Sequence, residues 1–403
     1  MQFIKSLAVV SGLLVSLSAA ASSPGLPSTD SFYKVPSGVN LTAKANGAIL
    51  SSRVVDPTAS NAAKGYQLLY KTTDALGKAD ATVVTILIPK SPKSPAQIVG
   101  LQLPEDSVSI DCAPSAALVK GTSSPAALSL NTTNQGLEGS LQNGYYVVIP
   151  DHEGSKAAAF VGPTEGHATL DGLLAATSFP TAIPGVSIST PIAIGGYSGG
   201  AHATAWAAQL YPKYAPSLNI KGQIIGGTPV NLTNVLVYLN KGTYVGFAAV
   251  GIVGEYLAYS DINKYISENL YPNGTALFKQ LQNNQCLLQV AFGYSRKDLF
   301  SYFKKANPLA DPIPRKRLAQ NLLGGDGSKL SIGTIMFHGE DDDVIPFSDA
   351  TAYAKKQCAK GAKVHFYADP GKKHIAEEGS RGASLVGWFD DILKGKADFS
   401  CNL

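Results

Sequence analysis

Along most of the chain, short apolar runs bounded by loop residues alternate with longer stretches of helical period. Residues 65–71 and 81–89 flank a polar Asp74-Ala-Leu-Gly turn and predict an antiparallel hairpin. Six further runs, at 96–103, 145–150, 191–195, 221–225, 333–337 and 362–367, are almost wholly apolar, as the buried strands of a parallel sheet are. Helical patterns fall between or after them at 166–177, 201–210, 348–360 and 383–394. Strands alternating with helices after an antiparallel start predict an α/β fold with a mostly parallel, doubly wound sheet.

Residues 226–312 break this rhythm. They favour helix, are rich in Tyr, Phe, Ala and Gly, and lie between loop signals at Gly226-Gly227 and Asp311-Pro312. Residues 243–259 are apolar, but the stretch is too short for a membrane span, carries Glu255 and is interrupted by Gly246, Gly251 and Gly254. Two readings stay open for it, a helical cap lining an apolar pocket and a buried core helix.

Residues 1–21 read as an export signal: Lys5, then a short apolar run from Leu7 to Leu17, then Ala19-Ala20-Ala21. Cleavage is expected near Ala21-Ser22, which makes the mature chain extracellular. That division leaves 22–225 and 313–403 as the α/β core and 226–312 as the insertion. The four cysteines, Cys112, Cys286, Cys358 and Cys401, form no CxxC or Cys/His cluster, so disulfides are expected and a metal site is not. Asn40, Asn131, Asn231 and Asn273 begin glycosylation sequons. The net charge of +4 is spread along the chain without an aromatic-laced basic stripe, which argues against nucleic acid as a partner.

The candidate chemistry centres on Pro191-Ile-Ala-Ile-Gly-Gly-Tyr-Ser-Gly-Gly200. An apolar strand runs into Ser198, flanked two residues either side by Gly196 and Gly200, and a helix follows. This is the pattern of a nucleophile elbow, where a sharp turn lifts a serine hydroxyl above the sheet edge. A serine alone is a weak nucleophile, so a base and its orienting acid are needed downstream, acid first. The run 333–346 ends a strand in Glu340-Asp-Asp-Asp343, and three adjacent aspartates cannot all be buried as charges. Asp342, four residues after His338 and four before Pro346, is the expected acid, with Asp343 second. Of six histidines, His374 follows the last strand and its loop, where the base belongs. His365 lies within that strand, His338 ends the strand before the acid, and His202 lies on the elbow helix. His152 and His167 precede the serine. One oxyanion donor is expected from the backbone of Gly199 and the other from the loop Pro104-Glu-Asp-Ser107.

Taken together, the chain resembles the fungal secretory lipase family, that of Candida antarctica lipase A, within the α/β-hydrolase superfamily. The resemblance rests on Glu105-Asp-Ser107 with Asp111-Cys-Ala-Pro114, on Tyr146-Val-Val-Ile-Pro-Asp-His-Glu-Gly154, on Gly166-His-Ala-Thr-Leu-Asp171, on Gly196-Tyr-Ser-Gly-Gly200 and on His374-Ile-Ala-Glu377. It implies an α/β-hydrolase fold with a helical cap inserted between elbow and acid loop, matching 226–312. It also implies that Ser198, Asp342 and His374 are the triad, that Asp106 and Gly199 are the backbone oxyanion donors, and that the disulfides pair Cys112–Cys286 and Cys358–Cys401. The implied substrate is an acyl ester such as a triacylglycerol at a lipid–water interface, with no cofactor. The chain ends two residues after Cys401, where lipase A continues into a C-terminal flap. That departure brings short esters of small acetylated molecules in as competing substrates. A peptidase on the same fold would need groups that bind a peptide chain, and the sequence names none. An inactive hydrolase-like binding protein would usually lack a triad member, and here none is missing.

Overall fold

A computed structural model describes residues 24–132 and 135–403, so the export signal expected at 1–21 lies outside the described residues. The described chain holds one nine-stranded sheet: β1 (Ile49–Val55), β2 (Ala62–Thr73), β3 (Ala79–Pro89), β4 (Ile98–Gln102), β5 (Tyr146–Pro150), β6 (Ile192–Tyr197), β7 (Ile220–Gly226), β8 (Thr334–Gly339) and β9 (Val364–Asp369). Their spatial order is β1-β2-β3-β5-β4-β6-β7-β8-β9. The first three form an antiparallel meander, β3 pairs antiparallel with β5, and every pair from β5 to β9 is parallel. β4, β5, β6 and β8 are buried at every position, which is why their sequences are continuously apolar instead of alternating.

Helices cover both faces. Gly162–Thr177, Gly199–Tyr214 and Phe347–Ala359 pack one face around Leu173, Ile194, Trp206 and Met336. Gln135–Gln142 and His374–Leu393 pack the other around Leu137, Val147, Ala193 and Phe389. Because β4 lies beside β6 with Gln102 opposite Gly196, the loop leaving β4 and the turn leaving β6 emerge side by side. This is the point where strand order reverses, and ligands of open α/β sheets bind outside the carboxyl ends of the strands at such a switch.

Between β7 and β8 the chain makes helices Leu232–Leu239, Val245–Ala258, Ser260–Asn269, Pro272–Leu281, Leu287–Gly293 and Pro312–Gln320. They share a separate apolar core that includes Leu236, Val253, Ile266, Phe278 and Leu318, joined by Ala159 and Val344 from the sheet-bearing part. The last of these helices starts at Pro312, where the sequence reading ends the insertion, yet Leu318 belongs to its core. Among the described residues, no helix is long and apolar enough to cross a membrane.

Candidate active site

Ser198 sits between the last residue of β6 and the first of the helix Gly199–Tyr214, with φ 54° and ψ −123°. A non-glycine residue held there costs on the order of 1–3 kcal/mol and persists only where its surroundings impose it. Here the surroundings are backbone. A Cβ on Gly200 would collide with the carbonyl oxygen of Gln102 at the end of β4, and one on Gly196 would collide with Gly200 itself. Ser198 N–H is anchored on the carbonyl of Gly226 at 2.9 Å. Gly199, as the first residue of the helix, belongs to the turn whose N–H groups have no intrahelical acceptor.

His374 is the first residue of the helix His374–Leu393, directly after β9 and its turn. Its Nε2 lies 2.8 Å from Ser198 Oγ and its Nδ1 lies 2.7 Å from Asp342 Oδ2. The ring leans on Tyr197, whose hydroxyl donates to the His374 carbonyl at 2.7 Å. Asp342 lies in the turn after β8, and its Oδ1 accepts from the N–H groups of Val344 and Ile345 at 2.8 and 2.7 Å. Burial alone would raise the Asp342 carboxyl. The charge of His374 and the hydrogen bonds from His338 and His374 outweigh it and hold the carboxyl well below the usual carboxylate range. For His374 burial works the other way, and Asp342, reinforced by Glu378 and Asp106, raises the imidazole above its ordinary value.

The neighbouring acids take other positions. Asp341 is exposed, and Asp343 pairs with Lys373 at 3.5 Å instead of turning inward. Asp106 is buried in the loop after β4 with φ 45°, and its carboxyl occupies the space beside Gly199 that a Cβ there would need. Burial, with the charge of Glu165, pushes the Asp106 carboxyl up to about 7. Glu105 points away from the serine and accepts from His152 N–H at 2.8 Å.

The remaining histidines are occupied elsewhere. His152 Nε2 lies 2.9 Å from the Leu103 carbonyl, and His167 stacks on Tyr214. His365 contacts Asn402 at 3.0 Å. His202 is fully buried between Glu165, at 2.6 Å, and the Trp206 indole, which donates to it at 3.1 Å. His338 is the partner that the sequence reading left out. Its Nε2 lies 3.0 Å from Asp342 Oδ2, so two imidazoles flank one carboxylate. The four-residue offset between them was visible in the sequence, but the turn that folds the acid back over the strand end was not.

One apolar chamber and one groove adjoin the serine, and a second chamber shares Leu236, Glu255 and Leu318 with the first. The first chamber is lined by Ser198, Phe160, Leu232, Leu239, Phe247 and Val344. The second lies among the helices of the insertion, between Ile252, Ile266, Phe303 and Leu309. The groove runs past Ser198 and His374 to Phe292 and Ile375, both exposed. Among the described residues no cluster of three or more His, Cys, Asp or Glu could hold a metal ion.

Disulfides join Cys112 to Cys286, with Cα atoms 5.4 Å apart, and Cys358 to Cys401, with Cα atoms 5.9 Å apart. The first links the segment after the loop that leaves β4 to the helical insertion, and Ser107 Oγ donates across the same seam to the Gln285 carbonyl at 2.9 Å. Asn40 and Asn273 are exposed, while Asn231 is half-buried and caps the helix Leu232–Leu239. The side chain of Asn131 lies outside the described residues.

A serine, imidazole and carboxylate in this relay can carry out acyl transfer. Comparison with known proteins agrees with that chemistry. The model of the family described as "Secretory lipase" matches residues 123–400. "Lipase A" of Moesziomyces aphidis is 37% identical over 361 residues, covering 87% of this chain and 77% of that protein. The "Secreted triacylglycerol lipase LIP3" of Malassezia restricta is 33% identical over 356 residues, covering 86% and 75%. The closed-state crystal structure of Candida antarctica lipase A superposes with a TM-score of 0.88 at 34% identity, covering 93% of this chain and 88% of that one. A rice cell wall degrading esterase, LipA from Xanthomonas oryzae, shares the fold alone, with a TM-score of 0.69 at 15% identity. The chain belongs to the secretory lipase family, and it is a carboxylic ester hydrolase built on the α/β-hydrolase fold.

Proposed function

We propose that this protein is an exported lipase that cleaves acyl esters, including triacylglycerols, through an acyl-enzyme on Ser198. The observation that carries the reading is the Ser198–His374–Asp342 relay, at 2.8 and 2.7 Å, opening onto an apolar chamber on one side and an apolar-rimmed groove on the other. His374 takes the Ser198 proton as Oγ attacks the ester carbonyl, and Asp342 holds the ring in the tautomer that leaves Nε2 free. The backbone N–H groups of Asp106 and Gly199 receive the oxyanion. The alcohol departs with the proton from His374, which then deprotonates water to release the acid and restore the serine.

The first chamber takes the acyl chain and the groove takes the alcohol. The helical insertion acts as a cap over both, tethered to the oxyanion side by Cys112–Cys286. Exposed Phe292 and Ile375 at the groove mouth form the rim that meets a lipid surface. Export rests on the leader at 1–21, on two disulfides and on the secretory character of the family. Asn40 and Asn273, being exposed, are the sequons offered for glycosylation.

Hydrolysis of p-nitrophenyl esters from acetate to palmitate, beside Ser198→Ala, tests the reading. A maximum at medium or long chains that is lost in the variant supports it. A maximum at acetate replaces it with a deacylase of small esters.

A further inference from the structure

The helical insertion lines the two chambers with aliphatic and aromatic side chains and a single acid. Glu255, on the helix Val245–Ala258, is 5% exposed and lines both of them. The other side chains shared by both chambers are Leu236 and Leu318. Those three therefore form the partition, and a chain that starts at Ser198 and outgrows the first chamber meets Glu255 on its way to the second.

The carboxyl is held in place from one side only. Oε1 accepts from the amide of Asn321, whose own Oδ1 accepts from Gly162 N–H at 2.8 Å. Oε2 is buried and has no hydrogen-bond partner among the described residues. A buried oxygen without a partner is destabilising, and a leucine at this position would carry no such cost. Burial pushes the carboxyl up to about 7, against the pull of the Asn321 amide and the Arg317 charge. In mildly acidic solution it is therefore mostly the neutral acid, able to donate as well as accept.

We propose that Glu255 determines acyl specificity by hydrogen-bonding a hydroxyl carried on the acyl chain, so that esters of hydroxy-substituted fatty acids are preferred to plain alkanoates of equal length. The inference rests on the first chamber being the acyl site. A plain methylene chain at the partition leaves Oε2 without a partner, as it stands in the structure, whereas a hydroxylated chain brought against the Glu255 carboxyl supplies one. Sites that hydrogen-bond a substrate hydroxyl reject the analogue lacking it far more strongly than an apolar pocket rejects a missing methylene.

The test compares kcat/KM for p-nitrophenyl alkanoates and their ω-hydroxy counterparts, from butanoate to dodecanoate, in the full-length enzyme and in Glu255→Gln and Glu255→Leu. At the chain length where the terminal hydroxyl reaches the partition, the wild type should favour the hydroxy ester by about tenfold or more. Glu255→Gln, which keeps a hydrogen-bonding group, should retain the preference, and Glu255→Leu should reverse it. Plain esters preferred at every length in the wild type would overturn the proposal, as would an unchanged ratio in Glu255→Leu. The wild-type ratio and the Gln variant decide the question even where the Leu variant does not fold. Failure to hydrolyse any ester would instead count against the catalytic reading, whereas good hydrolysis without hydroxyl preference counts only against Glu255.

Discussion

At Ser198 a backbone conformation unfavourable for any side chain is imposed by Gln102, Gly200 and Gly226, and the hydroxyl is presented 2.8 Å from the His374 imidazole. Ser198→Ala should lower kcat by on the order of 10⁴-fold or more while leaving thermal unfolding nearly unchanged. In the proposed mechanism His374 must be neutral to act as base, and Asp342 holds it above its ordinary value against the effect of burial. Activity should therefore fall as pH drops through an apparent pKa higher than that of free histidine. A kcat/KM profile flat to strong acid would contradict that role for His374. His338 shares Asp342 with the base. Replacing it by Phe removes one charge-assisted hydrogen bond, which corresponds to a loss of about tenfold to a hundredfold in kcat. The two backbone donors from Val344 and Ile345 keep the carboxylate placed, so the loss should stay well short of that in Asp342→Asn.

Among elements, legibility followed burial. The strands that build the site are covered on both faces, so β4, β6 and β8 stand out as apolar runs, and the chemistry follows each run at its carboxyl end. β1 is an edge strand, half-exposed through Ser51, Ser52 and Arg53, and it has neither an apolar run nor clean alternation to reveal it. The last helix begins at His374, nine residues before the pattern at 383 suggests, because Gly379 and Gly382 blur its apolar period. Glu255 shows in the sequence only as a charge that spoils a membrane span. Its place on the partition depends on how six helices pack, which no local pattern carries. The Cys112–Cys286 bridge closes a loop of 174 residues between oxyanion side and insertion. Replacing both cysteines by serine should cost roughly 2–5 kcal/mol of stability, read as a lowered unfolding midpoint. It should also reduce kcat, because the Ser107–Gln285 seam beside the oxyanion loop loses its tie.

The whole molecule sets a mostly parallel sheet beneath a helical insertion with its own apolar core, and Ser198 lies where the two meet. In the proposed reading the acyl and alcohol parts of an ester leave Ser198 in different directions, one under the insertion and one outward to an apolar rim. Changing Phe292 and Ile375 to Asp should lower hydrolysis of emulsified triacylglycerol several-fold more than hydrolysis of a soluble ester, because charge at the rim opposes contact with a lipid surface. Equal losses on both substrates would speak against an interfacial role for that rim. The central claim is that Ser198 is the residue acylated in turnover. Labelling the folded enzyme with a fluorophosphonate, followed by peptide mapping, tests it most directly. The account predicts one adduct, on Ser198, formed in step with loss of esterase activity. Full inactivation with the adduct on another residue, or an active enzyme that takes up no label, would contradict it.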